Sequence, residues 1–432
     1  MKKILFVFVL WLAGGFCWAQ LPTGTWSGAL DIQGSSLTLV FHFSEEGCKM
    51  DVPDQGAKGI AAAASLTPLG AIHINVAAIG ASFEGFRFGE KINGTFKQNG
   101  VSLPLTLVPG ASQRERPQTP KPPFPYTTEE ISFSNGEAVL KGTLTLPSDW
   151  SSKTPVLLMV TGSGLQNRDE ELFEHKPFSV IADYLARRGV ATLRYDDRGF
   201  GESTGDVMLC TTEDLKEDAA AGIALLRDRF EKVGVLGHSE GGTIALMLAA
   251  EKKVDFIVSL AGMVISGRET LLDQNRRELA RAGLDEATTE AYCKALSDTF
   301  DAVVAARPLP ALDRFDLPAA LQQNLQQVQA QMRLPYLRHF VQLDLSQRLA
   351  EISCPVLALN GTKDTQVDCM LNLTALKNGL PASAHNDIRP LEGLNHLFQH
   401  CKTGLTTEYP QIEETFAPEA LEQIAAWLAV LR

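Results

Sequence analysis

The chain has 432 residues, of which 45% are hydrophobic and 21% are charged, and its formal net charge is −12 at pH 7. This length allows two or three domains, and the hydrophobic content supports a large packed core, so general disorder is not expected. The acidic balance argues against a nucleic acid or an anionic membrane surface as a partner, because both attract basic protein surfaces.

The first 19 residues have the pattern of an export signal rather than that of a folded segment. Lys2 and Lys3 make a positive start, residues 4–16 form an apolar run, and Ala19 supplies a small residue before the expected cleavage point. An uncleaved membrane anchor is the alternative, but these 13 apolar residues are short for a bilayer span, which takes about 20. We therefore expect an exported protein, periplasmic or secreted, with no membrane span after cleavage.

Residues 20–110 show the alternation of apolar and polar residues that is typical of β-strands. Apolar side chains recur at every second position, as in Leu37, Leu39, Phe41, Phe43, Ile72, Ile74, Val76, Phe86 and Phe88. The pairs Asn93-Gly94 and Asn99-Gly100 are typical of tight hairpin turns. The pattern predicts a small antiparallel β domain, either a barrel or a sandwich, and it contains no candidate catalytic residue.

A proline-rich stretch separates this β domain from the rest of the chain. Five prolines lie between residues 114 and 126, namely Pro117, Pro120, Pro122, Pro123 and Pro125. Such a density favours an extended and stiff connector. We therefore place a linker at 111–127 and begin the second domain, 128–432, after it.

The second domain alternates strand-like and helix-like runs, which predicts an α/β fold with a mostly parallel sheet. Strands are predicted over 139–146, 155–160, 190–195, 233–236, 254–260, 355–359 and 384–390, and helices over 178–188, 212–230, 243–250 and 418–431. Thr212 is the expected N-cap of the second helix. Residues 263–350 contain no convincing strand and predict a helical insertion. It leaves the carboxyl end of a strand, where α/β proteins bind ligands, which favours a lid over a purely structural element.

Residues 237–241 read Gly-His-Ser-Glu-Gly and match the pattern G-x-S-x-G. A predicted buried strand precedes them and an apolar helix follows, which is the strand–turn–helix context of a nucleophilic serine. Glycines are needed at both ends because a Cβ there would collide with the neighbouring strand or helix. Ser239 is therefore the candidate nucleophile, and a chance match in a glycine-containing loop is the alternative.

A serine needs a base to activate it and a third group to orient the base, and this architecture supplies them in the order Ser, acid, His. Asp364 follows the strand predicted over 355–359, and His396 follows the last predicted strand. We predict that Asp364 orients His396, and that His396 takes the Ser239 proton and later gives it to the leaving group.

Each of these assignments has a competitor. Asp368 is close enough in sequence to be the acid, and Asp364 is equally suited to a turn. His400 lies about one helical turn after His396, and histidines four residues apart sometimes share a metal ion. His238 adjoins the serine but points away from it if the sharp turn forms.

An oxyanion hole takes two backbone N–H groups. We assign one to Glu240, directly after the candidate nucleophile, and the other to Ser163 in the turn 162–164. That turn is alternatively an ordinary flexible loop, and Ser163 is a rival nucleophile without a strand–helix turn. A phosphate-binding loop is excluded because no G-K-[ST] follows.

Six cysteines follow residue 19, which is too few for a disulfide framework in a chain of this length. They are Cys48, Cys210, Cys293, Cys354, Cys369 and Cys401. The sequence contains neither C-x-x-C nor H-E-x-x-H. We therefore expect neither a metal ion nor a cofactor.

Residues 128–432, about seventy per cent of the chain, resemble the α/β-hydrolase superfamily. The resemblance rests on the G-x-S-x-G match, on D-x-R-G-x-G-x-S at 196–203, on G-x-x-D-x-x-V at 361–367 and on Asn395-His396. The runs at 162–170 and 395–400 are similar to bacterial exported carboxylesterases with a small N-terminal β domain, often described as serine aminopeptidase-like or acyl-peptidase-like. The resemblance implies a metal-free hydrolase that acts through an acyl-enzyme. The chain departs from the superfamily at Thr161, where a histidine often precedes the glycine.

Three functions are therefore open. The first is a carboxylesterase that cleaves small-molecule acyl esters, and the second is a peptidase, of aminopeptidase or acyl-peptidase type, with the same triad. Large oligopeptidases of this superfamily carry a propeller of several blades of ~40 residues each, which residues 20–110 are too short to form. The third is a binding protein that keeps the fold without activity, and the intact set of Ser, Asp and His argues against it.

Overall fold

The computed structural model describes residues 21–32, 35–55, 57–67, 70–98, 100–110 and 116–431. The predicted export signal and Asn99, in one of the predicted turns, lie outside these ranges. Within them, no helix combines the length and the apolar character that a membrane crossing requires. The chain divides into two compact units, 1–114 and 115–432.

The first unit is a closed barrel of eight antiparallel strands that follow one another in chain order. The strands are β1 (Gly24–Ile32), β2 (Ser35–Ser44), β3 (Gly47–Val52), β4 (Ala57–Leu66), β5 (Ile72–Val76), β6 (Ala81–Phe88), β7 (Lys91–Gln98) and β8 (Val101–Pro109). Trp26 of β1 pairs with Pro109 of β8 and closes the cylinder. The prediction of a small β domain is confirmed, and a barrel is the form it takes.

Alternate side chains fill the barrel interior, with Trp26, Phe41, Met50 and Phe83 among the buried core. Phe86 and Phe88 lie in β6, as the alternation predicted, and they face outward, with 43% and 67% of their surface exposed. One expectation from the sequence is corrected here. Asn93-Gly94 is not a turn but lies inside β7, where Gly94 pairs with Gly85 and Leu105. A Cβ on Gly94 would lie 2.3 Å from the Glu84 carbonyl oxygen, so close strand packing explains this glycine.

The second unit has a mixed sheet of eight strands in the order β16-β15-β14-β13-β11-β12-β10-β9. The strands are β9 (Tyr126–Asn135), β10 (Ala138–Pro147), β11 (Val156–Val160), β12 (Ala191–Tyr195), β13 (Val233–His238), β14 (Phe256–Leu260), β15 (Val356–Gly361) and β16 (Asp387–Leu391). β10 runs antiparallel to β9 and β12, and the other pairs are parallel. The predicted α/β fold with a mostly parallel sheet is confirmed, although β9 was not predicted.

Nine α-helices lie in the part of the second unit that the structure describes. They are α1 (Pro177–Ala186), α2 (Thr212–Arg227), α3 (Glu240–Ala250), α4 (Gly267–Arg281), α5 (Glu286–Val304), α6 (Ala319–Gln331), α7 (Pro335–Phe340), α8 (Cys369–Gly379) and α9 (Pro418–Val430). Apolar side chains of α2, α3 and α8 pack on one face of the sheet, and those of α1 and α9 pack on the other. The sheet is therefore buried on both faces, which explains the continuous apolar runs of its central strands.

Helices α4 to α7 form the predicted insertion between β14 and β15. They have an apolar core of their own, which includes Tyr292, Phe300, Leu325 and Met332. One detail at the start of α2 differs from the prediction, because Thr211 and not Thr212 is the N-cap. Thr211 forms a capping box with Asp214, which frees the Thr212 hydroxyl for a contact described below.

Candidate active site

Ser239 lies in the sharp turn between β13 and α3, with φ 53° and ψ −117°. A positive φ is rare for a residue that carries a Cβ, and it marks a strained turn. A Cβ on Gly237 would lie 1.9 Å from the Gly241 carbonyl oxygen, and a Cβ on Gly241 would lie 2.0 Å from that of Val160. The expectation that both glycines are sterically required is therefore confirmed.

The segment 161–170, which we name the 161–170 loop, follows β11 and lies directly beside Ser239. A Cβ on Gly162 would lie 3.2 Å from Ser239 Cβ, and the Gly162 N–H donates a 2.8 Å hydrogen bond to Glu170 Oε1. Ser163 is exposed and lines the same cavity as Ser239. The oxyanion roles of the Ser163 and Glu240 N–H groups stay predictions.

The side chains of Asp364 and His396 are in contact, although 32 residues separate them, and His396 lines the same cavity as Ser239. His396 Nδ1 and Asp364 Oδ2 are 2.7 Å apart, and both side chains are almost fully buried. The other Asp364 oxygen accepts the N–H groups of Gln366 and Val367 at 2.8 and 2.9 Å. Three hydrogen bonds therefore hold the carboxylate. Because Asp364 engages Nδ1 of His396, Nε2 is the ring nitrogen that can face a serine hydroxyl.

The competing residues lie elsewhere. Asp368 is the N-cap of α8, where it accepts the Leu371 N–H at 2.6 Å and pairs with Arg277 at 2.7 Å. His400 is exposed and its two nitrogens lie 2.9 Å from Glu414 and from Glu419. The structure therefore brings neither residue into contact with Ser239 or with the imidazole of His396.

Sequence reasoning missed two residues of the site, His238 and Glu170. Both are buried, and His238 Nδ1 lies 2.9 Å from Glu170 Oε1. His238 Nε2 lies 2.9 Å from the main-chain oxygen of His396. Its position next to the nucleophile was visible in the sequence, but the Glu170 contact spans 68 residues and left no local signal.

The insertion contributes directly to the site. Tyr336 of α7 donates a 2.6 Å hydrogen bond to Glu240 Oε2, and Thr212 donates one of 2.6 Å to Glu240 Oε1. The Tyr336 hydroxyl is also hydrogen-bonded to the Ser163 side chain. Burial, together with the charge of Glu240, raises the pKa of the Tyr336 hydroxyl far above its usual value, so it remains a donor.

Ser239 and His396 line one cavity of about 290 Å³. Most of its wall is apolar and comes from Leu172, Pro177, Met263, Leu271, Leu337, Phe340, Val367 and Leu397. Leu271, Leu337 and Phe340 belong to the insertion, so the insertion forms part of the cavity wall, and its role as a lid stays a prediction. Among the described residues of this wall, Glu170 is the one carboxylate.

Asp197, in the D-x-R-G-x-G-x-S segment, anchors the 161–170 loop at two points. The Thr161 hydroxyl donates to it at 2.8 Å, and so does the Gln166 N–H. Burial raises the pKa of Asp197 to about 8, and the charges of Glu170 and Glu240 contribute in the same direction. Thr161, which replaces the histidine common in the superfamily, is thus a structural anchor in this chain.

A second carboxylate of the same segment holds the loop from the other side. Asp196 pairs with Arg168 through bonds of 2.7 and 3.1 Å and also accepts the Arg168 main-chain N–H at 2.7 Å. Burial alone would raise the pKa of Asp196, but the hydrogen bonds from Arg168 lower it below the usual value.

In the ranges that the structure describes, no group of three or more His, Cys, Asp or Glu side chains is arranged to hold a metal ion. The six cysteines after residue 19 are free thiols.

The mixed sheet, the strained serine turn after its central strand and the helical insertion after β14 define a protein of the α/β-hydrolase superfamily. Within this superfamily, the sequence model of the X-Pro dipeptidyl-peptidase (S15) family matches residues 135–387, which is more than half of the chain. The chain therefore belongs to this family. The matched span includes Ser239 and Asp364 and ends before His396.

Individual relatives were also found. The esterase EstD of Thermotoga maritima is 33% identical over 137 residues, which cover 31% of this chain and 33% of EstD. The chain thus spans about a third of the length of this curated relative. The Pyrococcus furiosus esterase Pf2001 is 15% identical, with a TM-score of 0.44 over 74% of this chain and 98% of that one. The proline iminopeptidase of Mycobacterium smegmatis is 17% identical, with a TM-score of 0.42 over 70% and 98%. The family match and the EstD similarity support serine hydrolase activity.

Proposed function

We propose that the chain is a carboxylesterase that cleaves carboxylic acyl esters through Ser239, His396 and Asp364. The observation that carries the proposal is the buried 2.7 Å contact between His396 Nδ1 and Asp364 Oδ2 in the cavity that Ser239 also lines. An aspartate at Nδ1 fixes the tautomer in which Nε2 is free to accept a proton.

The reaction then proceeds in two halves. His396 takes the Ser239 proton as Oγ attacks the ester carbonyl carbon, and the N–H groups of Ser163 and Glu240 stabilise the resulting oxyanion. His396 gives the proton to the leaving alcohol, which leaves an acyl group on Ser239. A water molecule, activated by the same imidazole, then releases the acid and restores the serine.

The chemistry of the cavity wall supports an ester of a small, uncharged acyl group. The wall is mostly apolar, and a volume of about 290 Å³ is at the small end for ligand sites. The similarity to EstD, which is named an esterase, agrees with this substrate class.

A peptidase with the same triad is the second candidate, and the S15 family match favours it. A dipeptidyl-peptidase must bind the ammonium group at the start of its peptide, which takes an acceptor such as a carboxylate. Glu170 is the carboxylate in the described wall, and its Oε1 already contacts Gly162 and His238. Because Glu170 Oε1 is already hydrogen-bonded within the protein, it is less available to bind a substrate ammonium group, which favours the esterase.

A fluorophosphonate probe followed by mass-spectrometric site mapping tests the nucleophile, and a matched substrate panel tests the reaction. The panel pairs p-nitrophenyl acyl esters with acyl, aminoacyl and X-Pro p-nitroanilides. We expect labelling of Ser239, and hydrolysis of the esters in strong preference to the anilides. Labelling at another residue contradicts the triad, and faster cleavage of an X-Pro anilide identifies the peptidase.

We further propose that residues 1–19 direct export to the periplasm or the exterior. The positive start and the apolar run of this segment support the proposal. Mass spectrometry of the mature chain from its host should find Gln20 at the N-terminus. A mature chain that retains Lys2 and Lys3 would contradict cleavage.

A further inference from the structure

Two buried ionisable side chains beside Ser239 have no part in the proposed triad. Glu170 ends the 161–170 loop and is 4% exposed, and His238 ends β13 and is 6% exposed. Burying a charged group is costly unless a partner compensates for the lost water. The contact between His238 Nδ1 and Glu170 Oε1 at 2.9 Å supplies such a partner to each of them.

The acceptors around His238 determine its protonation. Nε2 lies 2.9 Å from the His396 main-chain oxygen, and because a carbonyl oxygen can only accept, Nε2 must carry a hydrogen. Nδ1 faces Glu170 Oε1, which also accepts the Gly162 N–H at 2.8 Å. If Glu170 is ionised, Nδ1 donates to it as well, and His238 is then an imidazolium.

The electrostatic surroundings agree with this protonation state. Burial by itself lowers the pKa of His238, but the charge of Glu170 and its hydrogen bond outweigh that effect, and the pKa is raised. The charge of Asp364 contributes in the same direction. The charges of Asp197 and Glu170 influence each other, and the ring centroids of His396 and His238 lie 4.7 Å apart.

The pair connects three segments whose relative positions matter for the proposed reaction. Glu170 holds the 161–170 loop through the Gly162 N–H, and His238 holds the main chain at His396. His238 is also bonded covalently to Ser239. The candidate oxyanion loop, nucleophile and base are thus joined by three hydrogen-bonded contacts and the peptide bond between His238 and Ser239.

We propose that Glu170 and His238 form a buried ion pair that acts as a positioning element for the proposed hydrolysis, by holding the 161–170 loop and the His396 main chain against Ser239. This inference rests on the proposed function, since Ser239 and His396 supply the chemistry that the pair positions. Neither residue exchanges a proton with the substrate, so both are positioning residues.

Asparagine and glutamine at position 238 separate the two contacts of the imidazole. His238→Asn keeps an N–H near the place of Nδ1, facing Glu170, and loses the contact with the His396 carbonyl. His238→Gln keeps an N–H near the place of Nε2 and loses the contact with Glu170. Glu170→Gln removes the charge and retains an acceptor for the Gly162 N–H.

We expect kcat on the best ester of the panel to fall about 10- to 100-fold in each single variant, because small displacements of reacting groups cost this much. KM should change less than kcat, because we do not expect the pair to bind the substrate itself in the ground state. His400→Gln is the matched control, since His400 also lies between two carboxylates but outside the cavity. Its kinetics should equal those of the wild type.

The pH profile supplies a readout that loss of packing alone would not change. His238→Gln leaves the negative Glu170 uncompensated near His396, which stabilises a protonated imidazole there. The acid limb of the pH profile, where kcat/KM rises as the base loses its proton, should therefore shift to higher pH by about one unit. The double variant with Glu170→Gln should return the limb to its wild-type position while kcat stays low. An unchanged kcat in all three single variants, together with an unchanged acid limb in His238→Gln, would overturn the proposal.

Isotope-labelled histidine NMR of the full chain tests the ion pair without reference to activity. We expect His238 to carry protons on both ring nitrogens throughout neutral pH, and to lose one of them in Glu170→Gln. A neutral His238 in the wild type would overturn the pair. If the fluorophosphonate probe fails to label Ser239 while NMR finds the imidazolium, the proposed function fails, and the pair is established as a structural ion pair without a positioning role.

Discussion

The Tyr336 hydroxyl donates a 2.6 Å hydrogen bond to Glu240 Oε2, and this bond joins helix α7 of the insertion to the residue that follows Ser239. Glu240 is fully buried, and its other oxygen accepts the Thr212 hydroxyl. The insertion is therefore attached to the first turn of the helix whose N-terminus is the candidate oxyanion site.

Removing this hydroxyl should loosen the insertion. Tyr336→Phe leaves a buried carboxylate oxygen without its donor, so we expect the free energy of unfolding to fall by about 1–3 kcal/mol. Hydrogen exchange in α7 should become faster. Tyr184→Phe, in α1, is the control and should change neither quantity. A Tyr336→Phe protein as stable as the wild type would show that the hydroxyl contributes nothing to the attachment.

Leu337 should limit the length of the acyl group. It lines the cavity from α7, and Leu337→Ala adds room for further methylene groups, each of which gains about 0.8 kcal/mol on burial. We expect the ratio of kcat/KM for hexanoate to that for acetate p-nitrophenyl esters to rise about fivefold or more. Leu334→Ala is the control, because Leu334 is 48% exposed and does not line the cavity. Equal hexanoate-to-acetate ratios in both variants would show that Leu337 does not contact the acyl group.

The proposed nucleophile and base should each be indispensable. Ser239→Ala and His396→Ala should each lower kcat by roughly four to six orders of magnitude, because members of a triad act as a unit. Circular dichroism should be unchanged in both. His400→Ala should keep kcat within about twofold of wild type, since its contacts are solvent-exposed. A His396→Ala enzyme with wild-type kcat would require another base.

Replacing Asp364 and replacing Asp368 by asparagine should have different effects on kcat. Asp364→Asn should lower kcat by about four orders of magnitude, because the amide can hold the imidazole in the wrong tautomer. Asp368→Asn should leave kcat near wild type, because Asp368 caps α8 and pairs with Arg277. The contrast is measured with the same ester in both variants. An active Asp364→Asn beside an inactive Asp368→Asn would reverse the assignment of the acid.

Asp197 should make stability depend on pH. Burial raises the pKa of Asp197 to about 8, whereas an unfolded aspartate titrates near ~3.9. Between these values the folded chain holds a proton that the unfolded chain has lost, so the free energy of unfolding falls as pH rises. The contribution is at most about 1.4 kcal/mol per pH unit, and it is lost as pH passes through about 8.

Asp197→Asn should flatten this part of the pH dependence, because an amide does not titrate. The amide can still accept the Gln166 N–H and donate to the Thr161 hydroxyl, so the 161–170 loop should remain folded. Denaturant unfolding at a series of pH values between about 4 and 9 measures the slope. The same slope in the variant and in the wild type would mean that Asp197 is not protonated in the folded chain.

Several features were predictable because their causes are local. The alternation of apolar residues in 20–110 predicted strands, and the runs after residue 128 predicted the buried sheet and most of its helices. The glycines around Ser239 were predictable because a turn of this sharpness excludes a Cβ at Gly237 and Gly241. The predicted order of Ser, acid and His named Asp364 and His396, and the side chains of these two residues are in contact in the structure.

Predictions from the sequence were wrong where tertiary packing overrode the structure that local residue preferences favour. Asn93-Gly94 has the composition of a turn, but Gly94 lies within a strand because two neighbouring strands approach it closely. Phe86 and Phe88 lie in a strand, as their alternation predicted, but the period alone does not say which face of a strand is buried, and both side chains face outward.

The sequence by itself determined the two-part organisation, the class of fold and the order of the residues proposed for the triad, because these follow from periodicity, turn chemistry and spacing along the chain. Only the tertiary structure decided that Glu170 faces His238, that Tyr336 reaches Glu240, and that Asp368 caps a helix instead of meeting His396. Each of these contacts joins side chains from distant segments, and their geometry depends on how the sheet and its helices pack, which no local pattern encodes.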